Sequence, residues 1–229
     1  MEGINIIHQD EALLIIHKPS GLLYIPDGYD QSLPHIKTDL EDLFGRLWLV
    51  HRLDKESSGV MVLAKTVEAH KNLNLQFQNR QVFKRYHCLA NPVPNWKTQT
   101  VNQPLLINSG RRHLTRVDHN KGKPATSHFK CLGTNESIAL LECHIESGYR
   151  HQIRAHLYYL GLGILGDPLY MPPQIRNSNN SFERMMLHAS QLCFIHPNTM
   201  QKVCYQAELP RLFFEVLGKV IPISWDTDV

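Results

Sequence analysis

Three groups of residues in this sequence have types and spacings that suit chemistry. Asp54 stands in HRLDKESSG (51–59), with Arg52 two places before it and Lys55 just after. Cationic neighbours hold a carboxylate ionised, which suits a nucleophile or a base. The same arrangement also suits an exposed ion-pair partner. His51 is a candidate general base by residue type, and equally a structural ring at the edge of a strand. The second group is Arg150, His151, Gln152, Arg154 and His156. Read as one helix, Arg150 and Arg154 are four apart and share a face. Their repulsion calls for an anion, either a phosphate or Asp54, unless the face is simply solvated. The third is Tyr86 in FKRYHCLA (83–90). Strand alternation puts it on one face with Lys84 and Cys88. Its ring either packs in a core or interface, or serves as a platform for a base or a proton-transfer phenol.

Other chemistries find no support. Neither GxxxxGK[ST] nor GxGxxG occurs, so no phosphate-cradling loop is expected. There are 14 His but no HExxH and no Cys/His quartet, and no metal site is expected. The 5 Cys at 88, 131, 143, 193 and 204 are odd in number and include no CxxC. They read as free thiols in a reducing compartment. The N-terminus lacks a basic signal-peptide start, and no apolar run approaches the roughly 18 residues of a membrane span. A cytoplasmic protein is expected, and a monomer, since no segment advertises an interface.

These residues need a scaffold, and the sequence sketches one. Runs at 4–8, 12–17, 47–50, 59–64, 82–90, 125–132, 137–146, 186–196 and 202–209 read as strands. The turn signal KPSG (18–21) separates the second run from LLYI (22–25). Helices are predicted over 35–45, over the stretch following Thr66 as N-cap, over 149–160, and in the tail LPRLFFEVL. The run at 137–146 is apolar at neighbouring positions, which predicts a strand covered on both faces. Residues 97–123 read as short β segments with exposed turns, and 171–184 as a loop. Strands outnumber helices without regular β-α alternation, which predicts an α+β fold. With 229 residues, one domain over 1–229 is expected.

Net charge is only +3, but it is unevenly spread. Residues 1–60 carry a net −5, residues 61–130 a net +10, and residues 131–229 a net −2. A local electropositive face would attract a phosphate backbone. Arg111, Arg112, Arg116, Lys121 and Lys123, within the basic segment at about 97–123, are the candidate phosphate-backbone contacts, unless these charges scatter in space as ordinary solvated side chains.

HRLDKESSGVMVLAKT (51–66) resembles the signature of RluA-type pseudouridine synthases, which isomerise uridine in ribosomal and transfer RNA. The likeness extends to KPSGL (18–22), FKRYHCLA (83–90), KPATSHF (123–129), GYRHQIRAHLYYLGLGILGDPLYM (148–171) and LHASQLCFIHP (187–197), nearly the whole chain. It implies a pseudouridine synthase fold, a mixed, mostly antiparallel sheet flanked by helices and loops. It also implies roles. Asp54 matches the catalytic aspartate, Tyr86 the tyrosine that packs under the target base, and Arg154 the arginine paired with that aspartate. Arg52 matches the arginine that fills the gap left by the flipped base, and Leu187 lies in a motif that lines the pocket. His51 and Arg150 are expected beside them as RNA contacts.

The sequence departs from the family in two ways. Relatives commonly read GRTHQ where this chain has GYRHQ, so an arginine falls one place later, at Arg150. Many relatives also carry an N-terminal S4 RNA-binding domain, which is not expected here. The implied reaction is an isomerisation of a flipped uridine in structured RNA, ribosomal, transfer or both. It needs no cofactor and no metal. A catalytically silent RNA-binding protein and a uracil-releasing RNA glycosylase are the alternatives.

Overall fold

The computed structural model describes residues 4–25, 35–110, 113–175, 182–223 and 225. In chain order the elements are β1 (Asn5–Gln9), β2 (Leu13–Lys18), α1 (Lys37–Phe44), β3 (Trp48–Leu49), β4 (Ser58–Ala64) and α2 (Val67–Gln78). Next come β5 (Phe83–Asn91), β6 (Thr98–Asn102), β7 (Leu105–Ser109), β8 (Leu114–Val117), β9 (Thr126–Thr134) and β10 (Ala139–Ile145). The last are α3 (Gln152–Tyr159), β11 (Gly163–Ile164), β12 (Leu187–Ile195), β13 (Lys202–Gln206) and α4 (Arg211–Leu217). The fold is α+β with a mostly antiparallel strand pairing, as the sequence predicts. Contacts divide the chain into two compact units, Met1–Lys84 with Ala189–Glu208, and Arg85–His188 with Leu209–Val229.

In the first unit the strand order is β1-β2-β4-β12, with β3 also on β4 and β13 on β12. The run Leu13–Ile16 is wholly buried, because the strand is covered on both faces. Helix α2 starts where Thr66 Oγ1 accepts the Ala69 amide at 3.1 Å, satisfying one of the helix's unpaired N–H groups. It buries Ala69 and Leu73 against Leu13, Ile15, Val60, Val62 and Phe194. Gln76 ties its last turn to β12, donating to Ile195 O (2.7 Å) and accepting from Ile195 N (2.8 Å). Gly59 has φ +126°, and a Cβ there would lie 2.1 Å from Ala189 O, so β4 and β12 approach too closely for any other residue.

In the second unit β5-β10-β9-β6 follow one another, with β11 on β5 and the β7–β8 hairpin separate. The core gathers Leu89, Phe129, Leu140, Leu141, Cys143, Ile153, Leu157 and Phe213. Ala139, Leu140 and Leu141 are all fully buried, so β10 is covered on both faces as its sequence predicts. A smaller cluster of Leu105, Ala125, Ala155 and Tyr170 joins the hairpin to α3.

Two expectations are corrected. Helix α3 begins at Gln152 rather than 149, because His151 before it takes a left-handed conformation (φ 57°, ψ 21°) that no helix contains. Arg150 and Arg154 therefore do not share a helical face. Within LLYI, Leu23 makes an isolated bridge to His35. Finally, only Cys88, Cys131 and Cys143 are free thiols. Cys193 and Cys204 are joined in a disulfide, since the β12–β13 register sets them opposite each other with Cα atoms 4.1 Å apart. Among the described residues, no helix is long and apolar enough to cross a membrane.

Candidate active site

Asp54 lies in a tight turn between β3 and β4, where the Ser57 amide donates to Asp54 O (3.1 Å). Leu53 is buried beneath the turn, Asp54 is partly buried and Arg52 is exposed. The turn is fastened by KPSG at the end of β2. Lys18 is only 1% exposed, and its ammonium donates to Pro19 O (2.8 Å), Leu22 O (2.7 Å) and Lys55 O (3.2 Å). A buried ammonium must be surrounded by acceptors. Here its position at the end of an apolar strand sets one of those acceptors next to Asp54. The Gly21 amide adds a second bond to Lys55 O (2.8 Å), and the Ser20 hydroxyl donates to Glu56 O (2.5 Å). His51, at the entrance to the turn, faces inward. Its Nε2 accepts the Val62 amide at 3.0 Å, and its ring stacks on Phe77 (4.9 Å, 15°). Burial, with Lys84 nearby, pushes the imidazole down to about 3, so it is neutral with its proton on Nδ1.

The start of α3 is held differently. Arg154, 1% exposed, grips Asp167 in a two-pronged fork, Nε to Oδ2 at 2.7 Å and Nη2 to Oδ1 at 2.8 Å. Asp167 Oδ1 also accepts the Leu169 and Tyr170 amides (2.8 and 3.0 Å). The Tyr170 ring lies under the guanidinium, 4.9 Å from centroid to Cζ. The phenol of Tyr170 accepts the Thr115 amide (2.6 Å) and meets His151 Nδ1 (3.0 Å), which anchors the left-handed residue. Arg150 points elsewhere, its Nη1 donating to Asn108 Oδ1 (2.9 Å) and its Nε to His151 Nε2 (3.3 Å). The displaced arginine of GYRHQ thus ties the β7–β8 hairpin to the front of α3.

Tyr86 sits on β5 opposite Cys143 of β10, partly buried against the core of the second unit. Its strand neighbours Arg85 and His87 point to the other face, toward Glu142 (3.6 and 3.7 Å). Leu187, at the start of β12, is 4% exposed and belongs to the same core. Of the basic candidates, Arg116, Lys121 and Lys123 are exposed, on or just after β8. The turn after β8 is shaped by Asp118, whose Oδ1 accepts the Asn120 and Lys121 amides (3.1 and 2.9 Å). Arg111 and Arg112 lie outside the described residues. Among the described residues, no cluster of three or more His, Cys, Asp or Glu side chains could hold a metal ion.

Each unit thus carries part of the predicted set, Arg52 and Asp54 in the first, Tyr86 and Arg154 in the second. Residues 12–159 match the family model described as RNA pseudouridylate synthase. The chain belongs to the RNA pseudouridylate synthase family. Asp54, Tyr86 and Arg154 all fall inside the matched span. The chain is 33% identical to ribosomal large subunit pseudouridine synthase D of Zymomonas mobilis, over 96% of this chain and 74% of that protein. It is 32% identical to the protein of the same name from Haemophilus influenzae, over 94% and 70%. Among solved structures it is similar to human RNA pseudouridylate synthase domain containing 4. The TM-score is 0.75 at 27% identity, covering 93% of this chain and 91% of that one. This RNA pseudouridine synthase also has features that residue types alone did not flag, namely Lys18, Asp167 and Tyr170. Their signal was in the motifs, a lysine closing an apolar strand in KPSG and an acid in GDPLY.

Proposed function

We propose that this pseudouridine synthase acts, as a monomer, on specific uridines in structured RNA, large-subunit ribosomal RNA first and transfer RNA second. The names of its relatives favour the ribosomal substrate. The exposed Arg116, Lys121 and Lys123 suit a phosphate backbone, and binding by such contacts weakens as salt rises.

In this reading the target uridine leaves the stack, at a cost of a few kcal/mol that is smallest where the base is already unpaired. Arg52 fills the gap. Asp54 acts at the ribose, by attack on C1′ or by removal of the 2′ proton. The N1–C1′ bond breaks, uracil turns in place, and C5 bonds to C1′ as the Asp54–C1′ bond breaks or, on the other route, as the 2′ proton returns from Asp54. The C5 proton is then lost with help from Tyr86, which packs under the base, and N1 ends protonated. Atoms balance without an added reactant. Arg154 keeps the reacting carboxylate ionised, a preorganised charge in the sense that lowers barriers most.

The observation that carries this reading is the Asp54 turn. A carboxylate between an exposed Arg52 and a backbone clamped by Lys18 is a reactive group on a rigid mount. The test is incubation of uridine-labelled ribosomal and transfer RNA with wild type and with Asp54→Asn. Pseudouridine from wild type alone is expected. Equal product from both would refute the assignment of Asp54. Released uracil would favour a glycosylase, and binding without product a silent module.

A further inference from the structure

We infer that His51 is a positioning residue for the Asp54 turn, acting through a single accepted hydrogen bond rather than through RNA or a proton. This rests on the reading of Asp54 given above. Strand β3 pairs with β4 at only two positions, Trp48 with Ala64 and Leu49 with Leu63. There the chain must leave the sheet to form the turn. The Val62 amide, one residue further along β4, is taken by His51 Nε2 at 3.0 Å. The imidazole therefore stands in for the next backbone carbonyl of β3. It lets the chain depart while the ladder is still satisfied, as a buried N–H requires.

Two contacts fix the ring. Nε2 is held by the centre of β4, whose residues Val60 to Ala64 are all essentially buried. The face of the ring lies on Phe77 of α2, at 4.9 Å and 15°. Between His51 and Asp54 there are only two residues, and one of them, Leu53, is buried. The other side of the turn is held at Lys55 O by Lys18 and Gly21. The carboxylate is thus carried between two anchors three residues before it and one residue after it. Nε2 can accept only while it carries no proton, so this bond holds the ring in its neutral form. The charge of Lys84 also disfavours the protonated ring and so reinforces its neutral form.

The experiment compares turnover of wild type with His51→Gln, His51→Phe and His51→Asn on a uridine-labelled RNA, with Asp54→Asn alongside. Glutamine places Oε1 as many bonds from Cα as Nε2 and keeps the acceptor. Phenylalanine keeps the stack on Phe77 and loses the acceptor. A displaced reacting group costs about 100-fold for 1 Å. His51→Phe should therefore lose about 10- to 100-fold in kcat with KM little changed, and exchange of the Val62 amide should quicken. His51→Gln should stay within about threefold of wild type and keep the same pH profile of kcat.

Equal kcat for His51→Phe and wild type, with Asp54→Asn inactive, would overturn the positioning role alone. Loss of a titration from the pH profile in His51→Gln would make His51 a proton-transfer group and overturn it too. If His51→Phe does not fold, Gln against Asn decides, since asparagine falls one bond short. Equal activity of those two would then refute the inference. Full activity of Asp54→Asn would instead bring down the underlying reading.

Discussion

The turn carrying Asp54 and the start of α3 carrying Arg154 solve the same problem with opposite materials. At the turn, one buried ammonium and one neutral imidazole hold the backbone, and the bonds run to peptide carbonyls and a peptide N–H. At α3, two full charges meet, and the side chain itself is held. A turn can be fixed by its backbone because the side chain it carries is short and comes along with it. An arginine has a long flexible stem, and fixing its backbone leaves the guanidinium loose. Only a partner at the far end, such as Asp167 with Tyr170 beneath, orients it. The lesson is that the length of the functional side chain dictates where the scaffold must grip.

The comparison can be broken most forcefully at α3. Asp167→Ala leaves a buried guanidinium without its fork and frees the Leu169 and Tyr170 amides. A loss of about 3–5 kcal/mol in stability is expected from urea unfolding. If Asp167→Ala unfolds like wild type, the fork does not organise this region. At the turn, Lys18→Met removes a donor shared by three carbonyls. Roughly 2–3 kcal/mol should be lost, and kcat should fall more than affinity for RNA. An unchanged kcat would show that the clamp does not reach Asp54.

The smallest effect separates the two regions by pH. His51 titrates near 6.5 when unfolded and about 3 when folded. His156 in α3 is also pushed down by burial, partly offset by its bond to Gln103 O. A depressed imidazole binds its proton more readily in the unfolded chain. Stability is therefore complete above about pH 6.5 and declines as pH falls below it, by up to about 1.4 kcal/mol per pH unit for each such histidine. His51→Gln should flatten that slope between about pH 6.5 and 3. His156→Gln should flatten it less. A slope untouched by His51→Gln would mean the ring protonates freely in the native state.

Much of this was readable in the sequence. The Thr66 cap, the two-faced burial of β10 and the Asp54 motif follow from local pattern, and the structure bears out the first two. The helix expected over 149–160 starts only at Gln152, because residue type does not reveal a left-handed histidine. The pairing of Cys193 with Cys204 was missed because it depends on hairpin register rather than spacing. Arg154 could be singled out, but Asp167, thirteen residues on, could not be matched to it.

By itself the sequence determined the family, the α+β class and which carboxylate, phenol and guanidinium are the candidates, since these are carried by residue identity and short-range order. The tertiary structure alone decided what holds them. The Lys18 clamp, the Val62 bond to His51 and the Asp167 fork join residues that the chain keeps apart. Such contacts form only where folding excludes water and leaves a buried charge or amide no partner but a distant one.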